Sequence, residues 1–317
     1  MRTRLAVLAA LFLLVLSAVP AAAITGGPKT GDQSDNGEHP QVGQLLFYVP
    51  DAPSSVYEDP GGWYSCSGTL VSPTVVVTAG HCTFAVGHNG RSTTTADNRY
   101  TAAGGNGSGG NDMWFSLVED GSQWNGFPAT SDYATQTARY RARSAWANNS
   151  GDWVRARSYP HPLYNDLAFY LHDAGVIVLD QAQRLDPEDY ATIPTKDYLE
   201  KYAGRRNAHR FEVVGYGLEK VLPFAAIGGD TRLKTDVKLD NLVSNPKDTY
   251  IQLSNNAHTG GTCFGDSGGP TFDNTDSFLL VAVTSFGQSP NCTGIGGAYR
   301  LDQPDDLRFL ASFGITP

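Results

Sequence analysis

Gly260-Gly261-Thr262-Cys263-Phe264-Gly265-Asp266-Ser267-Gly268-Gly269-Pro270 walls a serine in glycines, sets an aspartate before it and closes with a proline. Glycine lets backbone crowd around a reacting carbonyl, so the amides of Gly265 and Ser267 can point at one oxyanion. Average residue frequencies put a chance Gly-Asp-Ser-Gly-Gly-Pro at about one in 10⁴ to 10⁵ for a chain this long. That rarity outweighs the plain alternative, a glycine-rich turn in a chain with 35 glycines.

The same residues satisfy the Gly-x-Ser-x-Gly elbow of α/β-hydrolases, in which the histidine follows the serine. Here the last of seven histidines is His258, so that order is excluded. What remains is histidine, then aspartate, then serine. Thr78-Ala79-Gly80-His81-Cys82 supplies a histidine beside a cysteine that can tether it, suited to a positioned base. With Ile24-Thr25-Gly26-Gly27, these motifs make the chain resemble the secreted serine proteases of the chymotrypsin–trypsin type. It departs from the commoner pattern at Thr25, where valine is usual, and at Gly80, where alanine is usual. The resemblance implies an all-β fold of two six-stranded antiparallel Greek-key barrels, the active site in the cleft between them, and a short C-terminal helix. It covers most of the mature chain and says little about 83–151.

Residues 1–23 read as a secretory signal peptide, with Arg2 and Arg4, an apolar run from Leu5 to Leu16, and Ala21-Ala22-Ala23 before the cut. That run is too short for the roughly 17–25 residues of a spanning helix. The expected product is secreted and extracellular, with no membrane attachment after cleavage. It has 294 residues (317 − 23), and loss of two arginines takes the formal charge from −9 to −11. So acidic a chain is a poor partner for nucleic acid or anionic lipid. The four cysteines read as disulfides in an exported protein, and sequence alone allows three pairings. The resemblance implies Cys66–Cys82 and Cys263–Cys292. Their spacings fit no usual zinc pattern, so no metal is expected.

From Gln41 onward, short apolar runs alternate with turn residues and show hardly any helical periodicity. Val42–Val49, Tyr64–Val71 and Thr74–Thr78 read as strands, with a loop over 51–62. Met113–Val118 reads as a strand, and 134–147 as either a helix or a strand. His81 stands 92 residues before Asp173, against roughly 45 in the reference triad; the excess predicts insertions beside the cleft. The four tryptophans Trp114, Trp124, Trp146 and Trp153 read as local packing. A connection follows, with a short helix over 196–202, then strands over 211–217, 249–253 and 278–284. Pro304–Leu310 reads as the closing helix, with proline in its first turn and Asp305 and Asp306 complementing its dipole. The implied units are 1–23, a first barrel with insertions over 24–190, and a second barrel with the closing helix over 191–317.

Two aspartates compete for the third catalytic position. Asn165-Asp166-Leu167-Ala168 matches one pattern, while Asp173 precedes an apolar run fit for a buried strand. The family places a His-Pro-x-Tyr segment about a dozen residues ahead of its aspartate; His161-Pro162-Leu163-Tyr164 stands 12 ahead of Asp173 and 5 ahead of Asp166, which favours Asp173. The resemblance then implies a triad of His81, Asp173 and Ser267, an oxyanion hole from Gly265 and Ser267, and an activation pair between the α-amino group of Ile24 and Asp266. It implies a primary pocket floored by Gly261 and walled by Ser285, Phe286, Gly287 and Gly297. Without an acid on that floor, apolar or aromatic side chains are expected before the scissile bond. Phe264 and Phe286 stand where glutamine and tryptophan are usual. No cofactor is implied; the expected partners are protein or peptide substrates and protein inhibitors, and the expected state is a monomer. A catalytically silent binding protein on the same fold, or an esterase, is the competing reading.

Overall fold

A computed structural model describes residues 24–25, 33–87, 109–222, 224–242, 249–256, 260–273, 275 and 278–317. The proposed signal peptide, Gly26 and Gly27, and residues 88–108 of the 83–151 segment lie outside them. Strands β1 (Val42–Val49), β2 (Gly62–Ser72), β3 (Val75–Thr78), β4 (Met113–Ser116), β5 (Val154–Pro160) and β6 (Gly175–Leu179) close into a barrel in the order β1-β2-β3-β6-β5-β4. After β7 (Arg210–Gly215) come a hairpin of β8 (Leu218–Leu222) and β9 (Ala225–Gly228), then β10 (Leu233–Asn241), β11 (Tyr250–Asn255), β12 (Pro270–Asp273), β13 (Leu280–Gly287) and β14 (Gly294–Arg300). A second barrel closes as β10-β11-β14-β13-β12-β7. In both barrels three strands pair successively and a fourth returns beside the first, which is the Greek-key connection. The two share one topology without any visible sequence repeat.

Composition explains the strands. β3 is Val-Val-Val-Thr with every residue buried, and β1 buries nearly all of its length between the barrel interior and its outer cover. Such β-branched and aromatic runs suit a pleated surface covered on both sides. One apolar core runs through both barrels, from Leu45, Val76 and Ile177 in the first to Val214, Phe272 and Val283 in the second. Arg232, ahead of β10, also fastens the barrels together. Its guanidinium donates to Asp35 Oδ2 at 2.8 Å, to Glu119 Oε2 at 2.7 Å and to the Val42 carbonyl at 3.0 Å. The cleft between the barrels therefore has walls held in a fixed relation.

The ambiguous 134–147 stretch is a helix, α1 (Gln136–Asn149), capped by Thr135 Oγ1, which accepts from the Ala138 amide at 3.1 Å. Asp59 accepts from two more first-turn amides, those of Gln136 and Thr137. A capped first turn and few β-branched residues decide for helix over strand. Trp146 and Ala147 of α1 join Trp63, Trp114, Trp124 and Trp153 in a satellite cluster on the first barrel, so the tryptophans are packing. The 196–202 stretch is a 3₁₀ turn over Tyr198–Tyr202, and the chain closes on α2 (Pro304–Ala311).

Candidate active site

The end of β3 delivers the histidine. Thr78 closes the strand, and a 3₁₀ turn over Gly80–Cys82 carries His81 to the cleft. Cys82 is bonded to Cys66 on β2, and Cys263 to Cys292, the pairing implied by the resemblance. Gly80 replaces the usual alanine for a local reason: a Cβ there would sit 2.7 Å from the Tyr164 ring and 3.2 Å from Asp173 Oδ1.

Asp173, fully buried just ahead of β6, faces this turn. Its Oδ1 accepts from the His81 amide at 2.9 Å, and its Oδ2 lies 3.0 Å from His81 Nδ1. Ser285 Oγ, at the far wall, donates to Oδ2 at 2.5 Å. These contacts orient the imidazole and fix Nδ1 as its protonated nitrogen. Burial would lower the basicity of His81, but the charge and hydrogen bond of Asp173 outweigh it and raise its pKa above the ordinary imidazole value. Asp166 lies in an exposed 3₁₀ turn at the rim of the cleft, with no bond to His81.

The serine loop spends its backbone donors unevenly. The amide of Asp266 donates to Cys263 O at 3.1 Å, that of Gly268 to Thr284 O at 2.8 Å and that of Gly269 to Asp266 O at 2.8 Å. Between them the amides of Gly265 and Ser267 donate to no acceptor among the described residues. The Phe264 carbonyl takes the Leu218 amide at 2.7 Å, and a planar trans peptide then turns the Gly265 N–H away from Leu218. Two backbone donors, one on either side of Asp266, are thus left without an acceptor among the described residues.

Glycines make this turn possible. Gly268 has φ +75°, and a Cβ there would fall 1.9 Å from Thr78 Oγ1. Asp266 inside the turn is fully buried; its oxygens accept from the Gly217 and Cys263 amides, both at 2.8 Å. Burial pushes its carboxyl up to about 7, since two amides only partly replace the lost water. Ile24 is fully buried, and Thr25 exchanges backbone hydrogen bonds with Gly261, at 2.9 and 3.0 Å. The Ile24–Thr25 segment is thereby docked against Gly261, five residues ahead of Asp266.

Sequence reasoning missed two residues. Ser67, beside Cys66, gives its amide to Ser267 O at 2.8 Å and its Oγ to Gly265 O at 3.0 Å, and that Oγ accepts from the Tyr216 amide at 3.0 Å. It ties the first barrel to the serine loop, and only its place next to a paired cysteine hinted at this. Asn255, at the end of β11, is the second. A Cβ on Gly261 would meet Asn255 Oδ1 at 2.0 Å, and the carboxamide is held by Thr262 O at 2.7 Å and Thr25 Oγ1 at 3.0 Å. Gly261 is glycine to admit this side chain, so the Asn255 carboxamide stands against the expected Gly261 floor. Behind the carboxamide only about 10 Å³ remains, lined by Thr262, Gly296 and Gly297 among others.

His81 and Ser267 line one cleft of about 450 Å³, walled by Tyr164, Phe169, Phe264 and Phe286. No hydrogen bond joins His81 to Ser267. Ser285 and Gly287 also line it; Gly261 and Gly297 do not. The arrangement offers a base oriented by a buried carboxylate, a serine in the same cleft, and two amides without acceptors among the described residues.

The trypsin family model matches residues 139–303, just over half of the chain. That span includes Asp173 and Ser267 but not His81. No curated protein sequence matches the chain. Among solved structures, HL collagenase is 17% identical with a TM-score of 0.56, over 91% of this chain and 100% of that one. Human heparin binding protein is 15% identical with a TM-score of 0.53, over 92% and 96%. A scabies mite inactivated protease paralogue, S-D1, is 16% identical with a TM-score of 0.52, over 91% and 99%. At such identities these likenesses speak for the fold alone.

Proposed function

The chain belongs to the trypsin-type serine protease family, and from that membership we propose that it is an exported serine endopeptidase acting through an acyl-enzyme. One observation carries the reading: the Gly265 and Ser267 amides lack acceptors among the described residues while those of Asp266, Gly268 and Gly269 are engaged. His81 takes the Ser267 proton as Oγ attacks a peptide carbonyl, and the two amides hold the oxyanion. Asp173 stabilises the imidazolium without taking its proton. The imidazolium then protonates the leaving amine, and water repeats the sequence to release the acid.

Processing completes the loop in this account. Removal of residues 1–23 exposes the α-amino group of Ile24, a cation for the buried Asp266 carboxylate, whose raised pKa marks it as short of counter-charge. No activation peptide is then needed. Protein or peptide substrates, and protein inhibitors that mimic them, are the partners.

The aromatic walls favour an apolar residue before the scissile bond, and the Asn255 floor favours a small one over an aromatic one. Profiling with a peptide library tests this, and cleavage of esters but not peptides would favour the esterase reading. Gly261→Asp, which places an acid where trypsin-like members carry one, is expected not to confer cleavage after Lys or Arg, because Asn255 already fills that position. A gain of such cleavage would contradict the floor.

The base in this mechanism is the neutral imidazole. Because His81 is raised, hydrolysis is expected to fall as pH drops through a value above the ordinary one of about 6.5. A kcat/KM profile whose acidic midpoint lay below that value would contradict the Asp173 pairing.

A further inference from the structure

Behind the proposed catalytic aspartate the structure gathers a second set of donors. His161, after β5, stacks on His172 with ring centroids 5.1 Å apart, and Asp305 and Asp306 arrive from the first turn of α2. One ligating atom each from His161, His172 and Asp305 lies within 4.8 Å of the other two. His172 holds its place with a left-handed backbone, φ +57°, a region in which histidine is among the more frequent non-glycine residues.

The hydrogen bonding here is incomplete. His172 Nδ1 is buried and stands 3.0 Å from Asp305 Oδ2, yet makes no hydrogen bond, because the two are not aligned for one. Asp306 Oδ1 is also buried without a hydrogen bond, 3.9 Å from His161 Nε2. Its other oxygen accepts from Tyr299 Oη at 2.9 Å, leaving the first directed at the group. Buried polar atoms without partners are rare in native structures and ask for a missing partner.

We propose that His161, His172 and Asp305 form a binding site for a divalent transition-metal ion of the zinc class, with Asp306 Oδ1 as the adjacent fourth oxygen donor. Two imidazoles with carboxylates suit zinc better than calcium or magnesium, which favour all-oxygen shells. Tetrahedral zinc with bonds of about 2.0–2.2 Å sets its ligands roughly 3.3 Å apart. The donors close that gap by shifts of about 1–1.5 Å, within the reach of the partly exposed His172 and Asp305 side chains. Binding through His161 Nε2 gives up the 3.2 Å bond that its Nδ1 accepts from the Leu163 amide. One weak hydrogen bond is small beside a metal–imidazole bond. The Tyr299 hydroxyl on Asp306 is the kind of outer contact that orients a ligating carboxylate.

The test is calorimetric titration of Zn²⁺ into the metal-stripped secreted chain, alongside His172→Ala and Asp305→Asn, with melting temperatures taken with and without the ion. We expect one Zn²⁺ per chain, an affinity lower by about tenfold or more in each variant, and a zinc-dependent rise in Tm that is larger in the parent than in either variant. Asp305→Asn is isosteric and at a partly exposed position, so it keeps the test valid if His172→Ala loosens its turn. No uptake of Zn²⁺ by the parent chain, or parental affinity in Asp305→Asn, would overturn the site.

Discussion

Ser267→Ala lowers kcat on a peptide substrate by on the order of 10⁶, with little change in melting temperature. The size follows from the role: without Oγ, His81 has no hydroxyl to deprotonate and no acyl-enzyme forms. The fold survives because the loop is held by other atoms. The Ser267 carbonyl takes the Ser67 amide, Asp266 takes two amides, and Gly268 and Gly269 bond to neighbouring backbone. What activity remains is that of the oxyanion amides and the cleft alone. Steady-state kinetics on protein of checked melting temperature measure this, and a loss under about tenfold would remove Ser267 from the chemistry.

Asp173→Asn is the second large effect, about 10⁴ in kcat. An asparagine of the same shape can turn its NH₂ toward His81 Nδ1, and the imidazole then carries its proton on Nε2, the nitrogen that must accept from Ser267. The Asp173 carboxylate also takes the His81 amide and the Ser285 hydroxyl, so its loss unsettles both walls of the cleft. Asp166→Asn is the control: its carboxylate sits in an exposed turn, and kcat should stay within about twofold. Equal losses in the two variants would contradict the assignment of the third catalytic position.

The barrels were legible because their strands are short, apolar and bounded by turn residues; Val42–Val49 has the same limits in sequence and structure. α1 was ambiguous because Tyr140 and Trp146 suit either element, and the deciding contacts, Thr135 and the distant Asp59, are tertiary as much as local. The site was legible where one residue type performs a task its neighbours must make room for, as with Ser267 between glycines. Ser67 and Asn255 were not, because each acts through a contact formed only when barrels and loops close, across 149 residues for Ser67 and Tyr216. The glycines of Gly215-Tyr216-Gly217 belong with them: a Cβ on either would fall within 2.2–2.5 Å of Asp266. A pattern-based reading sees the glycine and not the side chain it admits, and for that reason Gly261 was read as the floor without Asn255 beside it.

The most direct measurement is the intact mass of the secreted protein before and after an organophosphonate serine probe, with Ser267→Ala in parallel. A mass that begins at Ile24, with one adduct on the parent and none on the variant, is the predicted result. A parent chain that begins at Ile24 yet takes no adduct would contradict an assembled oxyanion site, and the silent binding-protein reading would take its place.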